Sequence, residues 1–236
     1  MKVLEAQDVT SGYGEVQILW GTDLTLEAGK LTALVGSNGA GKTTLLRTIM
    51  GLLKPWQGQI LFQGKDVSRL SAHAKTELGM VLVPEGRQLF TDMSVSENLE
   101  MGATPRHARA EMDRNLERVY SMFPRLQERS RQRAGTLSGG EQQMLAVARG
   151  IMSQPTVLMV DEMSLGLAPV LALDLFHALR VLREEGMTIL LVEQNVQMAL
   201  KVSDYAFVLS EGRVELHGPA RDLEDNVDIR RAYLGL

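Results

Sequence analysis

Four short apolar runs recur along the chain and predict the strands of a buried sheet. They occupy residues 31–36, 80–83, 157–160 and 189–192, and glycine, proline or charged residues border them. Because these runs are apolar at nearly every position rather than at alternate positions, they indicate strands that are covered on both faces. A parallel sheet has that property.

Helical periodicity separates these runs. It is present over residues 42–50 and 170–185, and the alternation of strand and helix predicts an α/β fold with a doubly wound core. The first thirty or so residues, together with 59–62, favour short strands of a separate β layer. Residues 92–153 have mainly helical periodicity, which predicts a helical insert.

One helix of the insert shows a clear apolar face. Met112, Leu116, Val119 and Phe123 recur at helical spacing, and Pro124 ends the run. The 236 residues, 44% of them hydrophobic, are enough for one sizeable core. We therefore expect a single domain over 1–236, with the α/β core and β layer in 1–86 and 154–236 and the helical subdomain in 87–153.

Composition narrows the classes of function. The formal net charge of −4 provides no basic surplus for binding nucleic acid or acidic lipid. The absence of cysteine excludes disulfides, thiolate zinc sites and cysteine nucleophiles, and it fits a cytoplasmic location. All apolar runs fall far short of the ~20 residues of a spanning helix, so any membrane role depends on partners.

A phosphate-binding loop follows the first apolar run. GSNGAGKT at 36–43 stands between a predicted strand and a predicted helix, which is the context that a P-loop requires. Its glycines let backbone N–H groups turn towards phosphate oxygens, Lys42 adds a full charge, and Thr43 offers a hydroxyl to Mg²⁺. The candidate nucleotide-binding residues here are Gly36, Ser37, Asn38, Gly39, Ala40, Gly41, Lys42, Thr43 and Thr44.

Two carboxylates end the run VLMVDE at 157–162. The carboxyl end of a parallel strand is where open α/β sheets bind ligands. We expect Asp161 to hold Mg²⁺, and Glu162 to orient and deprotonate the water that attacks the γ-phosphoryl group. The pair therefore predicts hydrolysis rather than binding alone.

A third motif, LSGGEQQ at 137–143, precedes an apolar helix. Ser138, Gly139 and Gly140 open that helix and offer N–H groups and a hydroxyl as a second anion-binding surface. In the order P-loop, LSGGEQQ, VLMVDE, the chain resembles the ATPase subunits of ATP-binding cassette (ABC) transporters over essentially its whole length. The resemblance implies a P-loop NTPase core with a mainly parallel sheet, an N-terminal antiparallel β layer and an inserted helical subdomain.

The resemblance also implies cofactors and partners. ATP and Mg²⁺ would bind at the P-loop, and Ser138 to Gly140 would close on ATP held by a second cassette, either a paralogue or an identical chain. Tyr13 matches the ring placed against adenine, and residues 164–167 match the loop that senses the opposite subunit. Two transmembrane permease subunits would hold the chain peripherally on the inner face of the cell membrane. A groove of this chain that includes Phe90, Met93 and Val95 would receive a cytoplasmic helix of a permease.

Two positions depart from the common family pattern. Glu85 replaces a glutamine that reaches the metal, and Gln194 replaces a histidine that contacts the γ-phosphate. A carboxylate can ligate Mg²⁺, whereas a glutamine donates a hydrogen bond but does not titrate. The predicted catalytic residues are Glu162, Gln194 and Lys42. The predicted metal ligands are Thr43, Glu85 and Asp161.

The strings VPEGR and LVEQN resemble the ATPase subunits of importers for branched-chain and other hydrophobic amino acids, which an extracytoplasmic binding protein supplies with solute. Urea and short-amide importers are the alternative within transport. A soluble cassette that acts on DNA or ribosomes would show a long coiled-coil insert, tandem cassettes or a basic face, and the sequence has none of these. A non-hydrolysing scaffold would lack Lys42, Asp161 or Glu162, and all three are present.

Overall fold

The computed structural model of the protein describes residues 1–226. The last ten residues of the predicted core segment 154–236 lie outside the described residues. The strands are β1 (Lys2–Tyr13), β2 (Val16–Glu27), β3 (Leu31–Val35), β4 (Gln57–Phe62), β5 (Lys65–Asp66), β6 (Met80–Val83), β7 (Val157–Asp161), β8 (Thr188–Glu193), β9 (Tyr205–Ser210) and β10 (Arg213–Pro219). The helices are α1 (Lys42–Met50), α2 (Ala72–Glu77), α3 (Val95–Gly102), α4 (Arg106–Ala110), α5 (Met112–Met122), α6 (Pro124–Glu128), α7 (Gly139–Met152), α8 (Pro169–Glu184), α9 (Val196–Val202) and α10 (Ala220–Glu224).

A six-stranded sheet in the order β10-β9-β3-β8-β7-β6 forms the core. Neighbouring strands pair in parallel from β9 to β6, and only the edge strand β10 pairs antiparallel, with β9. Every residue of β3, β7 and β8 is buried, which is why their sequences are apolar runs rather than alternating patterns. The predicted α/β fold with a mainly parallel sheet is confirmed.

The order of the central strands decides where the chemistry lies. β8 lies between β3 and β7, with Val35 opposite Glu193 and Asp161 opposite Val192. Parallel strands end at the same edge of the sheet, so the P-loop, the VLMVDE carboxylates and the end of LVEQN meet there.

The antiparallel β layer is also confirmed, as a sheet in the order β2-β1-β4-β5. The prediction that its strands are short is wrong for the first two, which have twelve residues each. Their pairing contains several register shifts, and each shift lets a strand continue past a break in the alternation of apolar and polar positions.

The segment between β6 and β7 is helical, as predicted, and contains α3 to α7. Val119 and Phe123 of the predicted apolar face are buried, and Pro124 ends α5 and begins α6. Val95 was predicted to line a partner groove, and this is wrong because it is the first residue of α3 and fully buried in the core. The division into subdomains at 87 and 153 stays a prediction.

Across residues 1–226, no helix has both the length and the apolar character that crossing a bilayer requires.

Candidate functional site

The P-loop connects the end of β3 to the start of α1 and depends on two glycines. A side chain at Gly36 would place its Cβ 2.2 Å from the carbonyl oxygen of Leu209 on β9. Gly41, the N-cap of α1, has a φ of 106°, a backbone conformation that residues with a Cβ rarely adopt. The loop therefore lies close against the core sheet and leaves the amino end of α1 accessible to an anion.

Lys42 is 4% exposed, and its charge is compensated on several sides. Its Nζ donates hydrogen bonds to the carbonyl oxygens of Gly36 at 2.9 Å and Ser37 at 3.1 Å. It also lies 3.5 Å from Oε1 of Glu162. These bonds direct the ammonium group into the loop, where a phosphate oxygen would be a stronger partner than a neutral carbonyl.

Asp161 is a buried carboxylate with an unused acceptor. Within the described part of the chain, its Oδ1 has no hydrogen-bond partner. Burial raises the pKa of Asp161 to about 6, hydrogen bonding from Thr43 lowers it, and the charges of Glu162 and Glu85 raise it. A carboxylate in this position gains most from a cation, because a cation would compensate the charge that burial disfavours.

Glu162 follows Asp161 in a strained conformation. Its φ of 47° lies in the left-handed region, and its backbone N–H donates to the carbonyl of Val192 at 2.8 Å. The side-chain amide nitrogen of Gln194 lies 3.5 Å from each carboxylate oxygen of Glu162 and donates to the side chain of Asn38. The structure thus brings three predicted site residues from separate segments into one group.

A cleft of about 490 Å³ contains this group. The residues that border it are Ile18, Asn38, Gly39, Gly41, Lys42, Thr43, Thr44, Glu85, Glu162, Leu165 and Gln194. A cleft with one buried ammonium group, backbone N–H groups and carboxylates can bind a polyphosphate with a cation and place a base beside it.

The predicted metal ligand Asp161 does not border that cleft, and two further predicted groups lie on other elements. Tyr13 ends β1 with 42% of its surface exposed, and its hydroxyl accepts a hydrogen bond from Arg47 of α1 at 3.2 Å. Ser138 caps α7, and a reciprocal pair of bonds joins it to Glu141. Ser138 to Gly140 do not border the phosphate cleft of their own chain. Their predicted action on a second cassette stays a prediction.

The structure also places Glu193 at the site, a residue for which the motifs of the sequence predict no role. Its side chain accepts hydrogen bonds from the backbone N–H of Ser164 at 3.0 Å and from the Ser164 hydroxyl at 2.7 Å. Burial raises the pKa of Glu193, while the bonds from Ser164 lower it. The signal was available, because LVEQ, like VLMVDE, is a buried apolar strand that ends in an acid.

Arg87 is a second residue near the site for which the motifs of the sequence predict no role. It donates from Nη1 to the side chain of Gln142 at 2.8 Å and so connects the loop after β6 to α7. Arg149 donates from the same helix to the carbonyl oxygens of Arg87 and Gln88. These bonds link the loop that contains Glu85 to the helix that LSGGEQQ opens.

Comparison with known proteins gives consistent matches. Residues 19–164 match the model of the ABC transporter family. The chain is 42% identical over 233 residues to the high-affinity branched-chain amino acid transport ATP-binding protein BraG of Pseudomonas aeruginosa, covering 99% of this chain and 100% of BraG. It is 37% identical to the probable branched-chain amino acid transport ATP-binding protein LivF of Archaeoglobus fulgidus, covering 99% of each chain. The crystal structure of the ADP conformation of an ATP-binding cassette of an ABC transporter superposes with a TM-score of 0.87 at 26% identity, covering 100% of both chains.

Proposed function

The chain belongs to the ABC transporter family as one of its ATP-binding cassettes, and from that premise we propose that it hydrolyses ATP to drive the import of branched-chain amino acids. The observation that supports this solute is the 42% identity to BraG over nearly the whole of both chains. The chemistry is supported by the cleft that joins the P-loop to Glu162 and Gln194.

ATP would bind with its phosphates over the amino end of α1. Backbone N–H groups of residues 36–41 and the ammonium group of Lys42 would contact the phosphate oxygens. Tyr13, exposed and held by Arg47, would stack on adenine. In this arrangement a phosphate oxygen would replace the carboxylate of Glu162 as the partner of the Lys42 ammonium group.

The residues present fit Mg²⁺. Asp161 has an unpartnered buried oxygen, Thr43 adds a hydroxyl, and Glu85 borders with both of them a groove that adjoins the phosphate cleft. The residues 1–226 contain no cluster of three or more His, Cys, Asp or Glu side chains that could hold a metal ion, so phosphate and water oxygens would complete the coordination. When bound, Mg²⁺ neutralises charge that develops on the phosphates.

Hydrolysis would begin at Glu162. Its carboxylate takes a proton from water as the water oxygen attacks the γ-phosphorus, and the bond from that phosphorus to the β–γ bridging oxygen breaks to release ADP. Gln194 lies beside Glu162 and the P-loop residue Asn38, and it would donate a hydrogen bond to the γ-phosphate or the water. Since Gln194 does not titrate, this bond is independent of pH.

A second cassette would supply Ser138, Gly139 and Gly140. In the capping box, Ser138 accepts from the backbone N–H of Glu141, which leaves the N–H groups of Gly139 and Gly140 without a partner inside the helix. Those two groups at a helix amino end suit the γ-phosphate of ATP bound to the opposite chain. The partner cassette is a paralogue or a second copy.

Two transmembrane permease subunits would bind next to the phosphate cleft, on a surface that shares Thr43 and Glu85 with it. A groove of about 900 Å³ runs between the end of α1, the loop after β6, α3 and α7. Leu52, Phe90 and Met101 border it with 58%, 46% and 47% of their surfaces exposed. Apolar side chains exposed together in one groove indicate a protein partner, and permeases docked here would place the chain on the inner face of the membrane. An extracytoplasmic binding protein would then deliver solute to the permeases.

The test uses cells that carry the tagged chain in place of the native copy. Proteins solubilised with it from the membrane are identified, and uptake of labelled leucine and urea is measured with wild type and with Glu162→Gln. We expect co-purification of permeases and a cassette, and loss of leucine uptake in Glu162→Gln with urea uptake unchanged.

The opposite pattern of uptake would assign the chain to the urea or short-amide alternative. Co-purification of nucleic-acid machinery without permeases would overturn the transport function and keep the ATPase chemistry. A Phe90→Asp variant that still binds ATP but no longer co-purifies with permeases would support the groove, with Leu216→Asp on β10 as the matched exposed control.

A further inference from the structure

The carboxylate of Glu193 is buried at the edge of the site without facing the phosphate cleft. The residue is 2% exposed, ends β8 and immediately precedes Gln194. Both of its carboxylate oxygens accept hydrogen bonds from one residue, Ser164, through the backbone N–H at 3.0 Å and the hydroxyl at 2.7 Å. Burying a carboxylate is costly, so these two bonds are needed to keep it there.

Ser164 lies two residues after Glu162, whose backbone is strained. A left-handed conformation is unfavourable for a residue with a Cβ, and it persists only where the neighbouring structure holds it. On the amino-terminal side of this strained residue, the backbone N–H of Glu162 donates to the carbonyl oxygen of Val192. On the other side, Ser164 donates twice to Glu193. The last two residues of β8 therefore hold both flanks of Glu162.

We propose that Glu193 is a positioning residue for ATP hydrolysis, which holds Ser164 so that the strained backbone of Glu162 directs its carboxylate towards Lys42 and Gln194. The outcome of that positioning is the 3.5 Å approach of Glu162 to both side chains. The proposal rests on hydrolysis at this site and is independent of the solute that is transported.

Substitutions at residue 193 and at its partner Ser164 give a matched series of variants that differ in the hydrogen bonds they keep. In Glu193→Ala both acceptors are lost. In Glu193→Gln the amide oxygen still accepts from the Ser164 N–H, and the amide nitrogen can donate to the Ser164 hydroxyl oxygen, so the geometry is kept without the charge. Ser164→Ala removes one of the two bonds. Ser203→Ala removes a hydroxyl that donates to Ala199, away from the site, and serves as the control.

The experiment measures kcat and KM for ATP in the complex that co-purifies with the tagged full chain. We expect Glu193→Ala to lower kcat at least about tenfold with KM changed less than about twofold, because misplacing a base affects the chemical step. Ser164→Ala should lose about threefold, as expected for one hydrogen bond, and it still tests the proposal if Glu193→Ala fails to fold. Glu193→Gln and Ser203→Ala should stay near the wild-type kcat.

A double-mutant cycle separates positioning from general stability. If Glu193 acts through Glu162, then Glu193→Ala should cause no further loss of turnover in a Glu162→Gln background. An equal loss in both backgrounds, or a change in KM alone, would overturn the proposal. Turnover by the wild-type chain in the same assay tests hydrolysis itself. Absence of wild-type turnover would contradict the proposed function, whereas wild-type turnover that Glu193→Ala leaves unchanged would contradict only the role of Glu193.

Discussion

The ammonium group of Lys42 lies 3.5 Å from the carboxylate of Glu162, and both side chains are at least nine-tenths buried. The cation of the P-loop and the predicted base of the reaction are therefore direct partners. A γ-phosphate that binds Lys42 must compete with this carboxylate, so that nucleotide binding and the placement of Glu162 are coupled.

Glu162→Gln tests that coupling. We expect ATP to bind at least as tightly as in the wild type, because the competing negative charge is removed, while turnover falls at least about a hundredfold with the loss of the base. Titration calorimetry with ATP and a phosphate-release assay measure the two effects. Glu184→Gln, an exposed substitution at the end of α8, is the control. Unchanged turnover in Glu162→Gln would remove Glu162 from the catalytic role.

Gly36→Ala should destabilise the protein through a clash. The added Cβ would lie 2.2 Å from the Leu209 carbonyl, so β9 or the P-loop must move. Overpacking of this kind lowers the free energy of unfolding by about 1–3 kcal/mol. Urea denaturation measures it, and Gly218→Ala, where a Cβ meets nothing within 4 Å, should remain close to the wild type. Equal stability of the two variants would contradict the close contact.

Lys75 should make stability depend on pH in the alkaline range. It is fully buried and donates from Nζ to the carbonyl of Ile49 at 2.6 Å, near the end of α1. Burial lowers the pKa of Lys75 to about 8 from 10.5. Between these values the unfolded chain binds a proton that the folded chain does not, so the free energy of unfolding rises with pH, by about 3 kcal/mol for the full shift.

Lys75→Met should remove that contribution. The difference in unfolding free energy between pH 7.5 and 10, measured by urea denaturation, is expected to be smaller in the variant than in the wild type. Lys201→Met, which removes an exposed lysine from α9, is the control and should follow the wild type. If both variants keep the wild-type dependence on pH, Lys75 is not the group responsible.

Gln194→His should give turnover a new dependence on pH. A histidine titrates near 6.5, whereas glutamine does not titrate. We expect the ratio of the variant kcat to the wild-type kcat to change between pH 5.5 and 8, in a steady-state assay at saturating ATP. Gln197→His, on the neighbouring helix α9, is the control. A constant ratio would show that residue 194 does not contact the reacting groups.

Many secondary-structure features of this protein are determined by residues that are close together in the sequence. A run that is apolar at every position specifies a strand covered on both faces, and β6 has the bounds that its run predicts. The P-loop specifies its own conformation, because Gly41 permits a φ of 106° and α1 begins at Lys42 as predicted. Such features depend on residues within a few positions of one another, and sequence is sufficient for them.

Tertiary structure decided the rest, because the remaining features join residues that are distant in the chain. The insertion of β8 between β3 and β7 brings Gln194 to Glu162, and the same register places Glu193 against Ser164, 29 residues away. The twelve residues of β1 and of β2 depend on register shifts in their pairing, which periodicity does not reveal. Lys75 is buried because α2 packs its side chain against the end of α1. The letters at these positions show which chemistry is available, and only long-range packing decides which groups meet.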